Sequence, residues 1–196
     1  MTEHADHPRS PRRIVVVGST GSGKTTLAAH AAAIIGGPHV ELDALYHEPG
    51  WIPAEPEVFR ARVRAAIADQ ACWVTDGGYR TLVWDITWPI ADEIVWLDYP
   101  FRLTFWRVLR RTLRRRLRNE HLWNGNRESL RSMFFSRDSL LLFAVRNRAK
   151  YRESYPEALR APHVAHVPVE RLQSPREAEA WLRKLAAEWQ HAAQAP

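Results

Sequence analysis

The first apolar run of the chain, Ile14-Val15-Val16-Val17, is four β-branched residues with no polar position among them. It is too short for a helix and too uniformly apolar for a strand with one wet face. It therefore predicts a strand buried on both sides, as in a parallel sheet, ending at Gly18. From Lys24 to Ile35 an alanine-rich stretch predicts a helix. Gly36-Gly37-Pro38 stops it with a permissive cap and then a residue that cannot continue a helix. His39–Leu42 reads as the second strand, Ala44–Pro56 as a loop broken by Pro and Gly, and Glu57–Asp69 as a helix with Val58, Val63, Ala66 and Ile67 on its buried side. Strand three is expected at Ala71–Thr75, followed by Asp76-Gly77-Gly78, and strand four at Ile94–Leu97, followed by Asp98.

The second half is more polar. Phe101–Arg118 predicts a helix in which Trp106, Leu109, Leu113 and Leu117 recur at helical spacing as the face packed on the sheet, with Arg107, Arg111, Arg114 and Arg118 as a second, cationic stripe. Residues 119–137 are polar with aromatic insertions, and Asp138–Tyr151 again has helical character. His163–Val167 is read as the fifth strand, with His163 and His166 in structural roles on it, and Pro175–Gln190 as the last helix. Strands alternating with helices predict a three-layer α/β domain with a five-stranded parallel sheet and helices on both faces.

Length and charge refine this picture. The 196 residues suffice for one domain, read as 13–196 with residues 1–12 as a disordered lead-in, because Pro8, Pro11 and polar neighbours precede any apolar run. No run approaches the ~20 apolar residues of a membrane span, so a soluble, cytoplasmic protein without a membrane partner is expected. The single cysteine, Cys72, cannot form an internal disulfide and reads as a buried small hydrophobe between Ala71 and Trp73. The net charge of +6 suits any polyanion and separates neither nucleic acid nor nucleotide phosphate.

The most specific signal is Gly18-Ser19-Thr20-Gly21-Ser22-Gly23-Lys24-Thr25, a complete G-x-x-x-x-G-K-[ST] phosphate-binding loop with a buried strand before it and a helix after it. Backbone N–H groups of such a loop, with those of Thr26 in the first helical turn, face phosphate oxygens; Lys24 reaches the β/γ-phosphates and Thr25 supplies an oxygen for Mg²⁺. Asp76, at the C-terminal end of a strand beside this loop, faces the bound metal. Asp43 follows strand two at the edge where ligands bind in open α/β sheets. Tyr46, His47, Trp51 and Trp84 are candidate walls of an acceptor pocket. His47 is a poor metal ligand, because neither Cys nor a second His falls at a ligand spacing near it.

Several phrases together resemble the nucleoside-monophosphate-kinase superfamily of P-loop proteins over roughly residues 13–185. They are Gly18–Thr26, Glu41–Tyr46, Trp73–Tyr79, Val95–Tyr99, Leu122–Glu128 and Phe135–Leu140. Within it they are most similar to the adenylate-kinase-like proteins described as related to a DNA topology modulation protein. The resemblance implies ATP and Mg²⁺ as cofactors and transfer of a phosphoryl group. Asp76-Gly77-Gly78-Tyr79-Arg80 looks like the segment in which an Asp holds water on Mg²⁺ and an Arg, here Arg80, grips the acceptor phosphate, although the proline usual there is missing. Arg107 and Arg111 match the nucleotide-contacting arginines of the helix after strand four. Residues 119–137 occupy the position of the lid, with Arg127, Arg131 and Arg137 on it, and Arg137 with Arg148 resembles the paired lid and post-lid arginines that contact the transferred phosphate. In related small-molecule kinases an Asp at the place of Asp43 orients an acceptor hydroxyl and takes its proton.

These observations predict a kinase that moves the ATP γ-phosphate to a small acceptor, acting as a monomer or homodimer. Arg80 favours a nucleoside monophosphate as acceptor, and Asp43 a hydroxylated metabolite. The rival is a regulatory ATPase that binds nucleic acid through Arg102–Arg118. No recognised DNA-binding motif accompanies that helix, and its arginine stripe falls where a kinase needs cations.

Overall fold

A computed structural model describes residues 12–117, 124 and 154–194. Its framework is a five-stranded, all-parallel sheet flanked by helices on both faces. In chain order the elements are β1 (Arg13–Gly18), α1 (Lys24–Ile35), β2 (His39–Glu41), α2 (Leu42–Tyr46), β3 (His47–Glu48), β4 (Ile52–Pro53), α3 (Pro56–Ile67), β5 (Trp73–Asp76), α4 (Arg80–Thr87), β6 (Glu93–Leu97), α5 (Phe101–Leu117), β7 (Val169–Leu172) and α6 (Pro175–Gln194). The sheet order is β2-β5-β1-β6-β7, so β1 is central and delivers the glycine-rich loop to the middle of the sheet's C-terminal edge.

Side-chain alternation along the strands sorts the core into two layers. Ile14 and Val16 of β1, Val74 of β5 and Val95 and Leu97 of β6 point to one face, where Leu27, Ala31 and Ile35 of α1 and Trp181 and Leu185 of α6 cover them. Val15 and Val17, Trp73, and Ile94 and Trp96 point to the other, where Phe59, Val63 and Ile67 of α3 and Val83 and Trp84 of α4 pack. Burial on both sides is what the uninterrupted apolar run of β1 encodes. The second layer contains stacked aromatics: Trp84 and Trp88 lie 3.8 Å apart at 18°, with Tyr155 5.6 Å from Trp84. Trp84 is thus a core residue at 8% exposure.

The ends of the two outer helices are fixed by polar contacts. Arg60 of α3 makes a paired ion bridge to Asp85 of α4 at 2.9 and 2.6 Å, which holds the Asp85 carboxyl below its ordinary pKa. Before α6, Ser174 and Glu177 form a capping box, with the Glu177 carboxylate accepting from Gln173 N and Ser174 Oγ at 2.8 Å each.

Several expectations are corrected. The fifth strand is Val169–Leu172, paired with β6 in the register Ile94↔Val169, and 161–167 is a turn segment. Val164 and Val167 there are buried three residues apart, which anchors a turn on the core, whereas the true strand is a polar edge strand with only Leu172 buried. His163 and His166 are therefore exposed and lie on no strand. The stretch read as a loop contains α2 and the β3–β4 hairpin, closed by Pro49–Trp51 with Gly50 at φ 80°; its Pro and Gly residues mark a hairpin turn. On α3, Phe59 rather than Val58 faces the core, and Val58 is exposed. On α5, Trp106 and Leu113 are exposed at 65% and 54%, while Thr104, Val108 and Thr112 are buried. The inward stripe is the smaller, partly polar one because the glycine loop packs beneath it. Lastly, Arg12 belongs to the fold, donating to Glu93 at 2.7 Å, and Cys72 is half-buried at the edge of the first layer.

The regions 119–123, 125–137 and Asp138–Tyr151, with the expected lid, Arg127, Arg131, Arg137 and Arg148, lie outside the described residues. The revised orientation of α5 and the aromatic stack make one joint prediction. Trp88→Ala should destabilise the protein by about 3–5 kcal/mol through the cavity it leaves, and Trp106→Ala by no more than about 0.5 kcal/mol. Urea denaturation followed by far-UV circular dichroism checks both, and similar losses for the two would restore the Trp106 face as the packed one.

Candidate functional site

The glycine-rich loop leaves β1 at Gly18 and enters α1 at Lys24. Gly21 and Gly23 take φ of +80° and +93°, the left-handed region that side chains resist. A Cβ on Gly21 would also come within 2.5 Å of Thr104 O and of Val108 Cγ2 on α5, so the loop is clamped directly under that helix. Arg107 completes the clamp from α5, donating to Ser22 O at 3.1 Å with its guanidinium 5.5 Å from the centre of the Tyr99 ring. Lys24 folds back onto the same loop and donates to Ser19 O at 3.1 Å.

Burial lowers the Lys24 pKa; Asp76 and Asp43 act on it through space in the opposite direction, and Arg111 acts with burial. Arg111 and both carboxylates therefore lie close enough to Lys24 to influence its charge. Lys24 and Arg107, both expected at a phosphate site, meet at the loop. Ser22 Oγ is buried in the loop without a hydrogen-bond partner among the described residues.

Asp76 ends β5 and is 3% exposed. Its Oδ2 accepts from Thr25 Oγ1 at 2.8 Å and its Oδ1 pairs with His39 Nε2 at 2.9 Å. The strand register explains the meeting. β2 and β5 run parallel with His39↔Val74 and Glu41↔Asp76, and Val40 points to the α3 layer, so His39 and Asp76 share the α1 side of the sheet. Hydrogen bonding to Asp76, which outweighs burial, raises the His39 pKa above the ordinary histidine value. Thr25 and Asp76 offer hard oxygens, the donor type that Mg²⁺ prefers. That ion usually keeps waters and takes one or two protein ligands plus substrate phosphates. Among the described residues no group of three His, Cys, Asp or Glu that could hold a metal ion occurs; the Thr25 and Asp76 oxygens are of the type that would suit a magnesium nucleotide.

Asp43 lies in the first turn of α2, two residues beyond the end of β2 rather than on the strand itself. Tyr79 donates its hydroxyl to Asp43 Oδ1 at 2.6 Å, and His47 Nε2 lies 3.4 Å from the Tyr79 hydroxyl oxygen. Burial lowers the His47 pKa despite Asp43, keeping the imidazole neutral near neutral pH. Aromatic rings surround this group: Tyr46 lies 4.5 Å from Tyr79 and 5.1 Å from Phe59, and Trp51 sits edge-on to His47 at 5.3 Å. The segment is braced from outside. Arg62 donates to Leu45 O at 3.0 Å and Glu48 Oε1 at 2.8 Å, and the Asn124 amide donates to His47 O at 2.6 Å. Arg80 opens α4 beside Tyr79.

The structure thus brings the expected Lys24, Thr25, Asp76, Arg107 and Arg111 to one place and Asp43, Tyr46 and Trp51 beside it. Three neighbours escaped sequence reasoning. His39 was findable from strand parity with Val40, whereas Tyr79 and Asn124 stood inside recognisable phrases with nothing to indicate their partners.

No protein-family model matches the chain, and no curated protein does. Solved structures do. A gluconokinase from Sinorhizobium meliloti 1021 superposes with a TM-score of 0.53 at 20% identity, over 95% of this chain and 96% of that one. A shikimate kinase from Acinetobacter baumannii in complex with shikimate superposes with a TM-score of 0.52 at 21% identity, over 92% and 96%. These likenesses show the fold, an α/β P-loop architecture with a five-stranded parallel sheet. Among the described residues no helix is long and apolar enough to cross a membrane.

The raised pKa of His39 has a stability consequence. A histidine whose folded pKa exceeds its unfolded one contributes stability that is complete below about pH 6.5 and is lost as pH rises through the folded value. Wild-type stability in urea should therefore fall more between about pH 6 and pH 8 than that of His39→Gln, which does not titrate. Parallel profiles for the two proteins would show that Asp76 does not favour the protonated ring.

Proposed function

We propose that the protein is an ATP- and Mg²⁺-dependent kinase that transfers the γ-phosphoryl group to a hydroxyl of a small hydroxylated metabolite. The observation that carries this reading is the Asp43 carboxylate, held by Tyr79 in the helix that follows β2, at the sheet edge that also carries a complete phosphate-binding loop. The kinase fold of the two structural neighbours supports it: one is a gluconokinase and the other a shikimate kinase in complex with shikimate, a hydroxylated small molecule.

A bound magnesium nucleotide supplies the phosphoryl group and a compensating divalent charge. The chain's own groups do the rest. Loop N–H groups from Gly18 to Thr26 and the Lys24 ammonium hold the phosphates, and Arg107 and Arg111 add positive charge from α5. Thr25 and Asp76 organise the cation. Tyr79 occupies Asp43 Oδ1, which leaves Oδ2 to orient the acceptor hydroxyl and take its proton. Tyr46 and Trp51 flank the acceptor, and Arg80 contacts an anionic group if the acceptor carries one. Arg137 and Arg148 are assigned by their sequence positions to the transferred phosphoryl group.

A carboxylate at the point of attack disfavours a phosphate acceptor by like-charge repulsion. Of the α3 arginines, Arg60 is bound to Asp85 and Arg62 to Glu48. This favours the hydroxylated acceptor over a nucleoside monophosphate.

A coupled assay with a panel of sugars, sugar acids, other polyols and nucleoside monophosphates tests the reading. Transfer to at least one hydroxylated compound is expected, and turnover confined to nucleoside monophosphates would overturn the acceptor assignment. Lys24→Ala should abolish transfer. Asp43→Asn should leave ATP affinity within about twofold and lower kcat by about 10²–10⁴, the range for loss of a general base. Loss of ATP binding in Asp43→Asn would move that residue to the nucleotide site.

A further inference from the structure

Both oxygens of Asp76 are engaged, and by partners on different elements: Thr25 in the first turn of α1 and His39 on β2. A carboxylate oxygen accepts, so His39 donates through Nε2–H, and it does so whether the imidazole is neutral or charged. The opposite nitrogen assignment would set two acceptors against each other. Thr25 has a single hydroxyl hydrogen, and donating it to Asp76 leaves its oxygen lone pairs for another ligand. Thr25 is exposed and Asp76 is buried, so the chain His39–Asp76–Thr25 runs from the half-buried imidazole, through the interior, to the surface of the loop.

We propose that His39 is a positioning residue for the magnesium nucleotide: its Nε2–H fixes the Asp76 carboxylate, which fixes the Thr25 hydroxyl so that the Thr25 oxygen faces a cation. The proposal rests on the kinase reading and adds to it a residue that touches neither nucleotide nor acceptor. An Asp carboxylate turns readily about its last torsion, where the wells are broad. With one oxygen held by His39, the other stays aligned with Thr25. Without that donor the carboxylate turns, and the Thr25 hydrogen loses its fixed acceptor. Outer partners of this kind govern metal affinity by about 10- to 100-fold. A purely structural role would weaken nucleotide binding with and without the metal alike, so the ratio of the two affinities separates the cases.

The experiment is titration calorimetry of the full chain with ATP, once in excess MgCl₂ and once in EDTA, for the wild type and three variants. His39→Leu keeps bulk and removes the donor. His39→Gln retains a donor with similar reach, and His39→Asn retains one that is a methylene shorter. The wild type should prefer the magnesium complex. His39→Leu and His39→Asn should lose about tenfold or more of that preference, with metal-free ATP affinity within about twofold of wild type. His39→Gln should keep most of it. An undiminished magnesium preference in His39→Leu overturns the proposal. Should the leucine variant fail to fold, the amide pair decides, because equal preferences in His39→Asn and His39→Gln overturn it too. A wild type that binds ATP equally with and without magnesium overturns the metal-site reading itself, and the role of His39 with it.

Discussion

Burying a carboxylate is costly unless hydrogen bonds replace the water it loses, and Asp76 is buried where three elements meet. Its two bonds tie the first turn of α1 and the β2 strand to the end of β5. That single requirement fixes much of the site. The parallel register places Asp76 level with Glu41 and beside β1, strand alternation turns it toward α1, and α1 can begin only where the glycine loop ends. Loop, metal-facing oxygens and sheet edge are thus positioned by the same few backbone constraints.

The clamp on the glycine loop is the second consequence of this packing. Gly21 lies so close to Thr104 and Val108 that α5 must turn small residues inward. A helix presenting Trp106 there would displace the loop from the sheet edge. The exposure of Trp106 and Leu113 is therefore explained by the phosphate cradle, and Arg107 reaches the loop because it lies one residue from the buried Val108.

This also shows which parts of the molecule were legible in the sequence. Elements whose signal is local were read nearly to the residue: β1 from its β-branched run, α1 from its glycine caps, the loop from its fixed spacing. Features that depend on a distant partner were not. The inward face of α5 is set by a glycine eighty residues away, and β7 is chosen by backbone pairing to β6 in spite of its polar side chains. His163–Val167 mimicked a strand because two buried valines three residues apart fit a turn as well. The same limit applies to the site. Lys24, Thr25 and Asp76 belong to a motif with a chemical rationale, whereas Tyr79 acquires meaning only when α2 brings Asp43 to within 2.6 Å of its hydroxyl.

The distribution of charge along the sheet edge follows from these placements. Lys24 and Arg107 are held by neutral carbonyls of the loop they serve, Ser19 O and Ser22 O. Such bonds are weaker than those to an ionised acceptor, so an arriving phosphate can replace them with stronger, charge-assisted ones at little cost in rearrangement. The cations are in place before the ligand. On the β2 and α2 side the polar groups pair among themselves: Arg60 of α3 is bound to Asp85 and Arg62 to Glu48, burial lowers the His47 pKa, and Tyr79 donates to Asp43. On the kinase reading proposed above, Lys24 and Arg107 would hold a polyphosphate under α5, and the Asp43 carboxylate at α2 would accept a hydroxyl of the second ligand.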